Sequence, residues 1–64
     1  MTNEDLNGIG LSLCEAEGIL DVLIFLHLEA EPPDRLRLND AMVTLLHLAL
    51  ERLRKAEGRL SAAA

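Results

Sequence analysis

The 64-residue sequence predicts an all-α fold: an antiparallel helical hairpin that pairs with a second copy into a four-helix bundle. Three observations predict it. Apolar residues recur at alternating three- and four-residue spacing in both halves of the chain. The only prolines, Pro32 and Pro33, are adjacent and lie between the two series. Formal charge reverses at the same place. Residues 1–34 hold eight acids and no Lys or Arg, whereas residues 35–64 hold six bases and three acids. The halves carry −8 and +3, for a net of −5. Two oppositely charged helices folded back on each other bring these charges together. Each exposed pair contributes about 0.2–1 kcal/mol, so the split selects the antiparallel orientation more than it adds stability.

The first helix is expected over about residues 3–31. Leu6, Ile9, Leu13, Ala16, Leu20, Leu23, His27 and Ala30 form its seam, the pattern of a helix packed on another helix. Thr2 with Asp5 could cap its start, and Ser12 with Glu15 offers a second, more regular capping box. Gly8 and Gly10 each cost a helix about 1 kcal/mol relative to Ala. The helix therefore starts either near Thr2, with a weak first turn, or at Ser12, and the early start is favoured. Gly8, Gly10 and Gly18 read as points of close helix approach or of local weakening. The residue before a proline avoids the helical region, so the helix stops by Glu31.

Residues 32–39 read as a turn, with Leu36-Arg37-Leu38 as a short extended arm and Asn39 as the N-cap of the next helix. The second helix is expected over about residues 40–58, with Met42, Leu46, Ala49, Leu53, Ala56 and Leu60 as its seam. Gly58 is its expected stop, and residues 59–64 form a frayed tail. The chain is one domain, 1–64.

One hairpin is too small to hide this much apolar surface. A chain this short buries only about 60% of its unfolded surface. Its single cysteine, Cys14, excludes an internal disulfide, and two histidines without a cysteine pair disfavour a closed zinc site. Between positions 19 and 28 only Asp21 and His27 are polar, so the first helix is apolar nearly all round and must be covered on several sides. A homodimer answers this, with Leu20, Leu23, Ile24, Phe25, His27, Leu46 and Leu53 at its interface. His27 on that seam reads as a satisfied interface histidine that makes dimer stability depend on pH near neutrality.

No catalytic motif is present, and no enzyme activity is expected. Ser12 and Ser61 read as a cap and a tail. Cys14 has acidic neighbours and reads as a small buried hydrophobe. Gly8-Ile9-Gly10 lacks the strand and third glycine of a dinucleotide loop. His27, Glu31, His47 and Glu51 are the one grouping with metal-ligand chemistry, in a faint internal echo of Leu26-His27-Leu28 and Leu46-His47-Leu48. Their order and spacing depart from the Glu-x-x-His pattern of metal-binding bundles, so no metal and no cofactor are expected. The apolar run at 19–28 is about half a membrane span. The acidic balance disfavours nucleic acid and anionic lipid and suits a basic protein surface. With a lone thiol and no basic leader before an apolar stretch, the cytoplasm is the expected compartment.

The opening Met1-Thr2-Asn3…Leu6…Gly8, the later Ala16-Glu17-Gly18, the length and the acidic first helix resemble the small phage-encoded anti-activators of bacterial quorum sensing, which are acidic helical-hairpin dimers. The resemblance implies binding to a LuxR-type transcription activator at its basic helix-turn-helix region, blocking DNA. It also implies a second class of target, the ATPase that assembles type IV pili.

The expected function is that of a non-enzymatic acidic regulator that binds and inhibits a host protein. Glu15, Glu17, Asp21, Glu29 and Glu31 of the first helix, with Asp34, Arg35 and Arg37 of the turn, are the candidate partner contacts. The alternative is a structural dimerisation or antidote module whose apolar groove receives a partner helix. No small-molecule substrate, direct nucleic-acid contact or membrane partner is expected.

Overall fold

A computed structural model describes residues 1–63. Among them the chain is all-helical: α1 (Asn3–Glu29), a short α2 (Pro32–Arg37) and α3 (Asn39–Ala63). α1 and α3 are long and lie packed side by side, with α2 as the connector.

α1 begins at the earlier of the two expected starts. Thr2 is its N-cap in extended geometry, and the Thr2 side chain accepts from the Asp5 amide at 3.1 Å. The Asp5 carboxylate accepts in return from the Thr2 amide at 3.2 Å, which completes a capping box. This cap holds the first turn despite Gly8 and Gly10. α1 ends at Glu29, because Ala30 and Glu31 are both extended ahead of Pro32.

The connector differs from the extended arm expected of it. Pro32 and Pro33 occupy the first turn of α2, where their missing N–H groups leave nothing unsatisfied, and Leu36 and Arg37 complete its helix. Leu38 (φ −93°, ψ 2°) then carries the chain almost helically into α3. The Met42 amide donates to the Leu38 carbonyl at 2.9 Å, so Leu38 and not Asn39 takes the capping place. Gly58 does not stop α3. No glycine has a positive φ, and the helix runs on through the stretch expected to fray, as far as Ala63. Ala64 lies outside the described residues. Glycine lowers helix propensity without breaking a helix, and the flanking Lys55, Ala56, Glu57 and Arg59 all favour one.

The seam between α1 and α3 is narrower than the apolar pattern. On α1, Ile9, Ser12, Ala16 and Leu23 are buried and Ile19 and Leu26 half-buried, as is Ala30 just after the helix. On α3, Ala49 and Ala56 are buried, with Met42, Leu45, Arg52 and Arg59 half-buried. Of the expected seam, Ile9, Ala16, Leu23, Ala30, Met42, Ala49 and Ala56 lie in it. Leu6, Leu13, Leu20, His27, Leu46, Leu53 and Leu60 lie beside it, exposed. The reason is steric. Small side chains (Ser12, Ala16, Ala49, Ala56) let two helices approach closely, and the leucines are left flanking that line.

The resulting body is elongated, at 47 × 15 × 12 Å, with a radius of gyration of 14.7 Å. A compact domain of this length has about 11 Å. Its accessible surface is 4874 Å², against about 4,000 Å² for a compact monomer of this mass. The hairpin thus exposes roughly 800 Å² more than a self-sufficient fold of its size.

Candidate functional site

Part of the exposed apolar surface gathers in one groove. Leu20, Ile24, His27 and Leu28 of α1 and Met42 and Leu46 of α3 line a single groove, with Leu23 also contributing. Steps of seven residues return to nearly the same side of a helix, drifting only about 20°. Leu6 and Leu13 therefore extend the Leu20 side towards the start of α1, and Leu53 and Leu60 extend the Leu46 side towards the end of α3. Val43 and Leu50 lie three and four residues from Leu46, on the same face. Apart from Leu23, these leucines, with Ile24 and Val43, are exposed. Glu17 and Glu57 carry charge within this face, and Asp21, seven residues before Leu28, lies at its margin.

The residues expected at a dimer interface divide between locations. Leu20, Ile24, His27 and Leu46 share the groove, and Leu53 lies on the same side one heptad further along. Leu23 is 5% exposed and belongs mainly to the hairpin seam. Phe25 is 64% exposed and points away from the groove, about 100° round the helix from Ile24.

A second, shallower depression lies on the other flank, lined by Cys14, Glu15, Gly18, Ile19, Val22 and Leu45. Cys14 is exposed there, contrary to its reading as a buried hydrophobe. Position 14 lies off the buried line of Ile9, Ser12, Ala16 and Leu23, and the burial expected of a thiol by type gives way to its place on the helix. A Cβ built on Gly18 or Gly10 meets nothing within 4 Å, so neither glycine marks a close approach. Gly8 does, since the Arg59 guanidinium lies across it.

Charge pairing follows the antiparallel arrangement. Arg52 Nε lies 3.4 Å from Glu15 Oε2, and Arg59 Nη1 lies 3.9 Å from Asp5 Oδ1. In the connector, Arg37 Nη2 lies 3.4 Å from Asp34 Oδ1. Of the candidate partner contacts, Glu15, Asp34 and Arg37 are therefore engaged within the chain. Arg35 is half-buried and lines a depression under the turn with His27, Pro32, Leu36, Asn39 and Met42. Glu17, Asp21, Glu29 and Glu31 are exposed and make no ion pair among the described residues.

The two histidines are exposed, and His27 stands at the groove's edge rather than within a closed seam. Among the described residues no group of three or more His, Cys, Asp or Glu is placed to hold a metal ion. No described helix is long and apolar enough to cross a membrane.

Sequence reasoning missed two parts of this surface. One is the Cys14–Gly18–Val22 depression, whose signal was a second three- and four-residue spacing through Leu11, Cys14, Gly18, Val22 and Phe25. The other is the cover of Arg59 over Gly8, which no spacing rule indicates. Comparison with protein-family models, with curated proteins and with solved structures finds no match.

Proposed function

We propose that this chain is a non-enzymatic, acidic regulatory protein that acts as a homodimer and inhibits a host protein by covering a basic functional surface. The DNA-binding region of a LuxR-type transcription activator is the target class. The observation that carries this reading is the uncompensated charge of α1. Among the described residues only Asp5 and Glu15 are paired with α3, while Asp21 and Glu29, outside the groove lining, stand exposed on a helix with no Lys or Arg. Such a surface competes with phosphate for a basic protein face and speeds encounter with it.

The exposed apolar surface supports the homodimeric part of this reading. The roughly 800 Å² of excess surface equals what each partner contributes to an interface of standard size. Its apolar face is continuous from Leu6 to Leu28 on α1 and from Val43 to Leu60 on α3. Stacking two hairpins on this face gives a four-helix bundle.

A second reading is favoured by the Leu20–Ile24–Leu46 groove itself: a dimerisation or antidote module that receives a partner helix there. Titration calorimetry with a purified LuxR-type activator at low and high salt separates the two. Acid-led binding weakens steeply as salt rises, whereas groove-led binding changes little. Undetectable binding to the activator at low salt overturns the inhibitor reading for this target class.

A further inference from the structure

We propose that the outward row of α1 formed by Asp21, Phe25 and Glu29, with Gly18 and Val22 beside it, docks an amphipathic helix of another protein through an arginine seated on the Phe25 ring. This rests on the dimeric, acid-led reading above, because a second copy covers the Leu20–Ile24–Leu46 side and leaves this row open.

Four observations place the row. Residues four apart are neighbours on a helix surface, so Asp21 and Glu29 bracket Phe25 one turn below and one turn above. Phe25 is the chain's only Phe, Tyr or Trp and is 64% exposed; it lies off the hairpin seam and outside the lining of the Leu20–Ile24–Leu46 groove, which it borders through Leu28. Asp21 and Glu29 have no ion-pair partner among the described residues. Gly18 and Val22 (52% exposed) adjoin the row, and Gly18 presents open space in which an approaching helix meets no side chain.

These features select a cationic, planar, partly apolar occupant. A guanidinium stacks on an aromatic face and donates in its own plane to carboxylates on either side. The chain's own bases do not fill the row. Arg52 and Arg59 are drawn to Glu15 and Asp5, in the half of α1 away from the turn. Arg37 is held by Asp34. From Gly18 to Glu29 the row spans about 16 Å, or three turns of a partner helix. α1 of a second copy is a poor occupant, because it would set carboxylates against Asp21 and Glu29.

The test uses the full chain labelled with ¹⁵N and a synthetic amphipathic peptide of Leu and Arg, about 14 residues or four turns long. Its Lys and Glu counterparts serve as controls. The expected result is chemical-shift change centred on Asp21, Val22, Phe25 and Glu29, with the Arg peptide tighter than the Lys peptide and the Glu peptide inert. Phe25→Leu keeps the apolar bulk and removes the ring face, and should weaken the Arg peptide about fivefold to tenfold. The paired Asp21→Asn and Glu29→Gln changes should weaken it and flatten its salt dependence. Circular dichroism and sedimentation confirm fold and mass for each variant. Shifts confined to the Leu20–Ile24–Leu46 side, or a Phe25→Leu chain that binds as tightly as the wild type, overturn the proposal. So does a Phe25→Leu chain that loses its dimer, since Phe25 then belongs to self-association and the dimeric reading stands without the docking row. A wild-type monomer that still seats the Arg peptide on this row has the opposite meaning: the dimer fails and the row survives.

Discussion

Arg59 reaches across the hairpin to Asp5, with Nη1 3.9 Å from Oδ1, and its guanidinium covers Gly8 so closely that a Cβ there would stand 2.6 Å from Cζ. The same Asp5 carboxylate completes the Thr2 capping box. One side chain thus joins the start of α1 to the far end of α3. The two roles differ in weight. An N-cap lost to Ala costs about 0.5–2 kcal/mol, whereas an exposed ion pair contributes about 0.2–1 kcal/mol, and one at 3.9 Å falls at the low end of that range. Thr2→Ala should therefore lower stability more than Arg59→Gln does. Urea melts followed by circular dichroism at one fixed protein concentration decide it, and equal losses from the two variants would contradict the ranking.

Gly58 gives a separate prediction. It sits within α3 without a positive φ, and a Cβ there meets nothing within 4 Å. Gly58→Ala should stabilise the chain by about 0.8–1 kcal/mol through helix propensity alone. Gly8→Ala should gain less, because the Arg59 guanidinium must move aside first. Thermal melts of the two variants side by side provide the check, and a larger gain at Gly8 would be inconsistent with the Arg59 cover.

The fold was largely legible in the sequence because its signals are local and repeated. The proline pair, the charge reversal at Asp34 and Arg35, and the Thr2–Asp5 cap each act within a few residues. The register was only half legible. The leucine-rich spacing drew attention to Leu6, Leu13, Leu20, Leu46, Leu53 and Leu60, yet these flank the line of contact. Hydrophobicity marks what has to be covered, and side-chain volume decides which residues sit where two backbones approach. Ser12, Ala16, Ala49 and Ala56 occupy that line; the spacing included the three alanines without setting them apart from the leucines, and it missed Ser12. At the connector, α2 was hidden because a proline pair reads as a turn, although prolines fit the first turn of a helix equally well. Of the candidate contacts, charge alone could not separate Glu15, Asp34 and Arg37, which are engaged within the chain, from Glu17, Asp21, Glu29 and Glu31, which are not.

The small seam makes its own prediction. Ala49 and Ala56 are each 2% exposed. Enlarging either to Leu forces the helices apart and should cost about 1–3 kcal/mol, even though Leu is a good helix former and more hydrophobic. Leu→Ala at Leu23, the largest well-buried side chain of the seam, should cost about 2–5 kcal/mol. Chemical denaturation measures both. If Ala49→Leu raised the midpoint, the seam would have slack that its burial does not indicate.

The apolar face predicts an assembly. Leu20 and Leu46 line the groove from opposite helices and are 36% and 50% exposed, so neither supports the hairpin from within. A charge placed at either should leave the hairpin's own seam intact while removing the reason for a second copy to cover it. Leu46→Glu and Leu20→Lys should each shift the chain from twice its 7.0 kDa mass towards the single-chain mass in sedimentation. Phe25→Ser, on the outer row, should leave the dimer in place. Leu23→Ala should act differently again, lowering helicity because it removes the seam itself. The distinction lies in which property moves first. Groove variants lose mass while α1 and α3 remain helical, and seam variants lose helix content. A wild-type chain that sediments at the single-chain mass up to high micromolar concentration, with full helicity, would show that a self-sufficient hairpin tolerates roughly 800 Å² of excess surface and would remove the basis for the bundle.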